Sequence, residues 1–123
     1  MSRPVLEPSA KHPITIEPTR QRVVVRVNDT VVADSSHSLT LQESTYPAVQ
    51  YIPMADVDQS LLRRTDTSTY CPFKGDASYY SVQTPDGATE TDLIWTYEEP
   101  YDAVKEIAGH VAFYANRADV AVG

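Results

Sequence analysis

Apolar side chains recur at every second position in several short stretches of the chain. In residues 22–27, valines 23, 25 and 27 share one face, while the arginines and the fourth valine occupy the positions between them. Leu39 and Leu41 alternate with polar residues, and residues 48–52 form another run that stops at Pro53. A period of two residues is typical of a strand with one buried face. We therefore predict several half-buried β-strands in the first half of the chain.

The second half shows the same alternation with more aromatic residues. Three strands are predicted here, at residues 77–84, 93–97 and 110–115. Residues 85–87 (Pro-Asp-Gly) predict the turn between the first two, because proline fixes one backbone angle and glycine frees another. Trp95 and Tyr97 share one face of the second strand, and His110 and Tyr114 share one face of the third. The pattern therefore brings aromatic side chains onto neighbouring strands.

Helix is expected only in short pieces. Asp56, followed three residues later by Gln59, resembles a capping box that opens a helical turn over residues 56–62. Asp102 is predicted to cap a two-turn helix that extends through Ala108. Because no repeat or linker is visible, we predict one mainly-β, antiparallel domain with about eight short strands and one or two short helices.

The domain boundaries follow from composition. Residues 1–12 are rich in proline, serine and charge, so we predict a flexible N-terminal tail there. Residues 13–117 carry the alternating pattern and form the single β domain. Residues 118–123 are predicted to be a C-terminal tail.

Charge and cysteine content restrict the partners and the compartment. The 10 basic and 17 acidic residues give a net charge of −7, which argues against nucleic-acid binding because phosphates are held by clustered cations. No apolar run approaches the ~20 residues of a membrane helix, so we expect no membrane association. The first eight residues lack the apolar core of a secretory leader, and one cysteine suits a reducing compartment. We therefore expect a cytoplasmic protein, and its oligomeric state stays open.

Four motifs together resemble a known family. In chain order they are Tyr51-Ile52-Pro53 with Asp56-Val57, residues 71–80 (Cys-Pro-Phe-Lys-Gly-Asp-Ala-Ser-Tyr-Tyr), Trp95-Thr96-Tyr97 with Pro100, and residues 107–114 (Ile-Ala-Gly-His-Val-Ala-Phe-Tyr). They resemble the uncharacterised bacterial domain of unknown function 427, over residues 20–117. The resemblance implies a small antiparallel β structure of the β-tent kind, and it implies no established reaction. One label of the family invokes nucleotidyl transfer, but the chain has neither paired acidic metal ligands after a Gly-Ser pair nor a phosphate-binding Gly-Lys-Ser or Gly-Lys-Thr loop.

Other β-tent proteins often hold a structural zinc ion with two Cys-x-x-Cys pairs, and this chain departs from that pattern. It has one cysteine and three histidines, His12, His37 and His110, which are scattered along the sequence. A closed four-ligand zinc site is therefore not expected, and neither is any other metal or cofactor. We predict that the purified protein carries no stoichiometric zinc and keeps its fold in a chelator. Elemental analysis that finds one zinc ion per chain, not shared by two chains, would contradict this.

Cys71 is the candidate nucleophile, since a thiolate is a strong nucleophile near neutral pH once it is activated. Lys74 could activate it, and His110 could serve as the base. The alternative is that Cys71 is a small buried apolar residue, because Pro72 favours an extended backbone there and not an activating helix N-terminus. If Cys71 is catalytic, its sulfur should lie within about 4 Å of the Lys74 ammonium or a His110 ring nitrogen.

Lys74 and His110 each have a structural interpretation as well. Lys74 precedes Gly75, so it is predicted to lie in a turn with its charge in solvent; alternatively it presents a cation to an anionic ligand. His110 either fixes the corner before the last strand or transfers protons. The sequence does not separate these alternatives.

The aromatic residues lead to the functional hypothesis. Tyrosine outnumbers phenylalanine eight to two, and tyrosine combines an apolar ring with a polar tip that suits a pocket wall. The residues proposed to bind a ligand are Lys74, Tyr79, Trp95, Tyr97 and Tyr114. We predict that they form a concavity near Cys71 and His110 that binds a small molecule or a partner. The alternatives are an enzyme that uses Cys71 or His110 for acyl or proton transfer, and a protein-interaction module.

Overall fold

The computed structural model describes residues 3–123. Within these residues the chain forms ten strands, and every pair of neighbouring strands is antiparallel. The strands are β1 (Ile14–Pro18), β2 (Val23–Val27), β3 (Thr30–Ser35), β4 (Leu39–Glu43), β5 (Val49–Pro53), β6 (Leu62–Cys71), β7 (Gly75–Gln83), β8 (Thr89–Thr96), β9 (His110–Phe113) and β10 (Asp119–Val122). Three 3₁₀ helices span Met54–Asp56, Gln59–Leu61 and Asp102–Ile107. The mainly-β prediction is confirmed, since 53% of the residues are in strands and 10% are helical.

The strands form two sheets. Seven of them follow the order β1-β4-β5-β9-β8-β7-β6, and the other three follow the order β10-β2-β3. Strands β5 and β9 pair only through Ile52 with Val111 and Pro53 with His110. Because this pairing covers only the end of β5 and the start of β9, the seven-stranded sheet separates after Val111, within β9.

The two faces of the seven-stranded sheet have different neighbours. On β8, Ile94 is buried in a core with the valines of β2, which belong to the three-stranded sheet. Its neighbour Trp95 packs in a second cluster that contains most of the buried tyrosines. Val104 and Ile107, from the 3₁₀ helix before β9, also pack in that cluster. One face is therefore closed by a sheet, and the other is aromatic.

Strands β6 and β10 are among those that the sequence did not predict. Strand β6 forms the edge of the large sheet, and its mostly exposed residues carry no apolar alternation. Strand β10 lies within the predicted C-terminal tail at 118–123 and pairs with β2. Its Val120 packs against the core between the sheets, so these residues contribute to the fold.

The short helices begin differently from the prediction. Asp58, not Asp56, caps Gln59–Leu61, because its carboxylate accepts a hydrogen bond from the Ser60 N–H at 3.2 Å. The hydroxyl of Ser35 donates to Asp56 at 2.6 Å. The predicted two-turn helix at Asp102 is a 3₁₀ helix without a side-chain cap, and Val104 departs from helical backbone angles within it.

The N-terminal segment makes specific contacts with the β domain, although the sequence predicted a loose tail. Arg3 forms an ion pair with Asp76, and its guanidinium lies 4.1 Å from the centre of the Tyr70 ring. The Leu6 N–H donates to the Pro72 carbonyl at 2.9 Å. These contacts hold the segment along the turn between β6 and β7.

None of the helices within residues 3–123 is both long enough and apolar enough to cross a membrane.

Candidate functional site

The aromatic face of the seven-stranded sheet borders a cavity of about 220 Å³, which we call the polar pocket. Its wall combines two charged side chains, Glu43 and Lys74, with aromatic rings from several strands. The residues that line the pocket are Leu41, Glu43, Tyr46, Pro47, Val49, Tyr51, Lys74, Tyr79, Trp95, Tyr97 and Tyr114. This composition, apolar walls with a few polar groups, is typical of small-molecule sites.

The turn between β6 and β7 brings Lys74 to the pocket. The Lys74 N–H donates to the Cys71 carbonyl at 3.2 Å, and the Lys74 carbonyl accepts a hydrogen bond from the Tyr101 N–H at 3.1 Å. Gly75 follows with a φ of 107°, which favours glycine because a Cβ is strained there. Only 8% of the Lys74 side chain is exposed. The prediction that Lys74 is solvated in a turn was therefore wrong about solvation and right about the turn.

Four side chains form one connected polar network beside the pocket. The Lys74 ammonium donates to Glu43 Oε1 and lies 3.7 Å from the Cys71 sulfur. The His12 Nε2 donates to Glu43 Oε2 at 2.8 Å. The His12 ring stacks on Phe73, with ring centroids 4.2 Å apart. Glu43 thus joins a cation from the turn to a histidine from the N-terminal segment.

The network keeps Glu43 ionised. Burial alone would raise the pKa of Glu43, but the hydrogen bonds and charges of Lys74 and His12 outweigh burial and hold the pKa below its usual value. Withdrawing two charges from water is costly, so such a pair needs well-placed partners. An ammonium group carries three donors, and Glu43 and Cys71 account for two on Lys74. Within residues 3–123 the third donor has no partner, so it is available to a molecule in the pocket.

The tyrosines supply neutral hydroxyl groups. Burial raises the pKa of Tyr51 and of Tyr114 to about 12. Burial also raises the pKa of Tyr97. These hydroxyls therefore stay protonated at neutral pH and can both donate and accept hydrogen bonds.

Trp95 occupies the centre of the aromatic wall. Its indole N–H donates to the Tyr51 hydroxyl at 3.2 Å. Its ring lies 4.6 Å from the Tyr114 ring, with a tilt of 50° between the planes. The Tyr79 hydroxyl is 2.9 Å from the Thr69 hydroxyl and 3.5 Å from that of Tyr114. Hydrogen bonds and ring contacts thus connect the side chains of the wall.

The structure brings together most, but not all, of the residues that the sequence suggested. All five proposed ligand-binding residues line the polar pocket: Lys74, Tyr79, Trp95, Tyr97 and Tyr114. Cys71 is next to the pocket through its contact with Lys74, but it is not among the lining residues. His110 does not line the pocket either, and its Nδ1 donates to the Ala108 carbonyl at 2.9 Å. That contact matches the structural interpretation of His110, and binding by the five stays a prediction.

Glu43, Tyr51 and His12 were not predicted to be site residues. Glu43 continues the face of β4 that begins with Leu39 and Leu41, so a carboxylate on an apolar face was the available signal. No local pattern marked His12, because its partner Glu43 is 31 residues away.

Among the residues that the structure describes, no group of three or more histidine, cysteine, aspartate or glutamate side chains is placed to hold a metal ion.

Gly75→Ala should lower the free energy of unfolding by about 1–3 kcal/mol, because alanine is strained at a φ of 107°. A Cβ would meet only ordinary contacts, the nearest being the Glu99 carbonyl oxygen at 3.6 Å, so the loss is conformational. Urea denaturation measures it. Gly109→Ala is the matched control, since its φ of 74° is closer to the left-handed region that alanine can adopt. An equal or smaller loss for Gly75→Ala would contradict the prediction.

Glu43→Gln should make the protein less sensitive to acid. The folded pKa of Glu43 is lowered, so its contribution to stability is complete above the unfolded pKa of about 4.3 and is lost as the pH falls through the folded pKa. The difference in unfolding free energy between wild type and Glu43→Gln should therefore shrink between about pH 5 and pH 3. Urea denaturation across that range measures it.

Salt provides the control for this experiment. Glu98 also has a lowered pKa, caused by Arg64 and Ser78, but half of its side chain is exposed. Added salt should therefore weaken the effect of Glu98→Gln more than that of Glu43→Gln. If the difference in unfolding free energy between wild type and Glu43→Gln does not change with pH, Glu43 has an ordinary pKa in the folded protein.

Comparison with known proteins identifies a family. A family model described as a domain of unknown function (DUF427) matches residues 15–123. No curated protein matches the chain.

Proposed function

The chain belongs to the DUF427 family, and we propose that it binds a small, neutral, planar molecule in the polar pocket. The observation that carries the proposal is the buried Lys74–Glu43 pair in an aromatic wall. A buried pair contributes little net stability compared with apolar residues of the same size. Its presence at the edge of a cavity is therefore better explained by recognition than by folding.

The chemistry of the wall favours a neutral ligand over a charged one. Lys74 and Glu43 neutralise each other, so a charged ligand would enter the pocket without a free counter-charge and lose its hydration. A carboxamide or cyclic amide fits better, because its carbonyl can accept from Lys74 and its N–H can donate to Glu43. A flat ring attached to this group would contact Trp95 and the tyrosines.

Benzamide is a suitable first probe, and Trp95 reports on it directly because it is the only tryptophan of the chain. Titration followed by Trp95 fluorescence and by ligand-observed NMR should give saturable binding. Benzoate and benzylamine have the same ring with one charge, and they should bind at least about tenfold more weakly. Saturable binding of neither benzamide nor cyclic amides such as 2-pyridone and uracil would refute the proposed function.

Two glutamate variants locate the binding site. Glu43→Gln keeps the shape of the pocket and removes the carboxylate, so benzamide should bind about tenfold more weakly. Glu98→Gln removes a carboxylate that lies outside the polar pocket, and it should leave the affinity unchanged. Equal affinity in wild type and Glu43→Gln would mean that benzamide binds elsewhere.

A second candidate function is covalent chemistry at Cys71, and one observation favours it. The Lys74 ammonium lies 3.7 Å from the sulfur, inside the distance expected for an activating cation. If Cys71 is a nucleophile for acyl transfer, iodoacetamide should alkylate it at pH 7 at least about tenfold faster in the folded than in the urea-unfolded protein. Slower alkylation of the folded protein would rule out this alternative and leave the binding function intact.

A further inference from the structure

A second cavity, of about 290 Å³, lies where β5 and β9 separate and β10 approaches them; we call it the apolar pocket. The residues that line it are Pro47, Ala48, Val49, Gln50, Ile52, Trp95, Phe113, Tyr114, Ala115, Val120 and Val122. Four of these also line the polar pocket, namely Pro47, Val49, Trp95 and Tyr114. The two cavities therefore share one wall.

The shared wall coincides with the gap in the seven-stranded sheet. Strands β5 and β9 are joined only by the Ile52–Val111 and Pro53–His110 pairs, so the chain from Ala112 onward is not paired with the start of β5. Tyr114 follows this point and packs against both hydrophobic clusters, one on each face of the sheet. Side chains, not hydrogen-bonded backbone, thus separate the two cavities. A side chain can move aside, whereas a paired strand cannot.

The two cavities differ in chemistry. Lys74 and Glu43 line the polar pocket. No charged residue lines the apolar pocket among the residues that the structure describes, and its wall includes Ile52, Phe113 and Val120. A cavity of about 150 Å³ with an aliphatic and aromatic lining holds a benzene-sized molecule. The apolar pocket is therefore large enough for a ring or a short alkyl chain.

We propose that the two cavities are the two halves of one site, and that its ligand is amphipathic. A neutral, planar, hydrogen-bonding head occupies the polar pocket, and an apolar tail crosses the shared wall beside Tyr114 into the apolar pocket. This inference rests on the proposed function, because the head is the group that Lys74 and Glu43 recognise. The continuity of the two cavities at Trp95 and Tyr114 favours the tail of the same ligand over a separate occupant.

A series of benzamides with 4-methyl, 4-ethyl, 4-propyl and 4-butyl groups tests the inference. Each methylene that enters the apolar pocket should tighten binding about threefold to fourfold, the usual gain for burying such a group. Affinities are measured by Trp95 fluorescence and calorimetry on the full chain. Calorimetry should also show a heat capacity of binding that becomes more negative with each methylene.

A matched pair of valine variants locates the tail. Val122 and Val31 are both 44% exposed, and only Val122 lines the apolar pocket. Val122→Asp should abolish the dependence on chain length, so that the alkyl derivatives bind no more tightly than benzamide. Val31→Asp should preserve the dependence. Ala115→Trp, which fills the same cavity from an exposed position, provides a second test should Val122→Asp fail to fold.

The outcomes separate this inference from the function on which it rests. If benzamide and its alkyl derivatives bind with equal affinity, the two-part site is overturned, whereas binding of the head group in the polar pocket is not. A chain-length dependence that survives both Val122→Asp and Ala115→Trp would overturn it as well, because the tail would then lie elsewhere. If neither benzamide nor any alkyl derivative binds, this inference is overturned, and the proposed function fails with it when 2-pyridone and uracil do not bind either.

Discussion

Replacing Lys74 with methionine is expected to lower the free energy of unfolding by about 3–5 kcal/mol, the usual cost of removing one partner of a buried ion pair. Methionine matches the length and apolar stem of lysine, so little packing is lost. The loss of stability comes from Glu43, whose side chain is only 16% exposed. In the variant, His12 would be its remaining hydrogen-bond partner. Urea denaturation at pH 7 measures the loss.

The double variant Lys74→Met/Glu43→Leu separates charge from packing. If the loss comes from an uncompensated buried carboxylate, removing that carboxylate should recover most of the stability, since apolar replacements of buried pairs are often neutral. The coupling energy between the two positions should then be large. If Lys74→Met lowers the free energy of unfolding by less than about 1 kcal/mol, the Lys74–Glu43 ion pair is as weak as an ion pair on a protein surface. Equal losses in the single and double variants would place the cost in packing.

The sequence predicted the class of fold because one face of most strands is buried. The alternating valines of β2 are all nearly or fully buried, so their spacing shows directly which face of the strand packs in the core. Strand β6 could not be predicted in this way, because an edge strand with both faces largely in water needs no alternation of apolar and polar residues. Strand β10 is short and its outer residues are exposed, so its four residues were not distinguishable from a tail.

The candidate site was only half predictable, for a related reason. Aromatic residues on neighbouring strands were visible in the pattern, and five of the proposed residues do line one pocket. The burial of Lys74 was not visible, because it depends on Glu43, which lies 31 residues earlier in the chain. His110 was predicted to share a face with Tyr114, but its ring Nδ1 donates to the Ala108 carbonyl and does not line the pocket. Local sequence thus predicted which residues share a face, but not which charges meet across strands.

Ile94→Ala is expected to lower the free energy of unfolding by about 2–5 kcal/mol, the range for an isoleucine truncated in a packed core. Ile94 has no exposed surface and lies in the cluster between the two sheets, where the valines of β2 also pack. The cavity left by three missing carbon atoms cannot close without moving a sheet. Val31→Ala is the control, because Val31 is largely exposed and should change stability by less than about 0.5 kcal/mol.

The same variant distinguishes the core from the site. Ile94 precedes Trp95 on β8, and the two side chains belong to opposite faces of the sheet. Ile94→Ala should therefore cost stability while benzamide binds with its wild-type affinity at a temperature where the variant is folded. A loss of affinity equal to the loss of stability would mean that the three-stranded sheet also shapes the polar pocket. A loss of stability below about 1 kcal/mol would contradict the assignment of the main core to the space between the sheets.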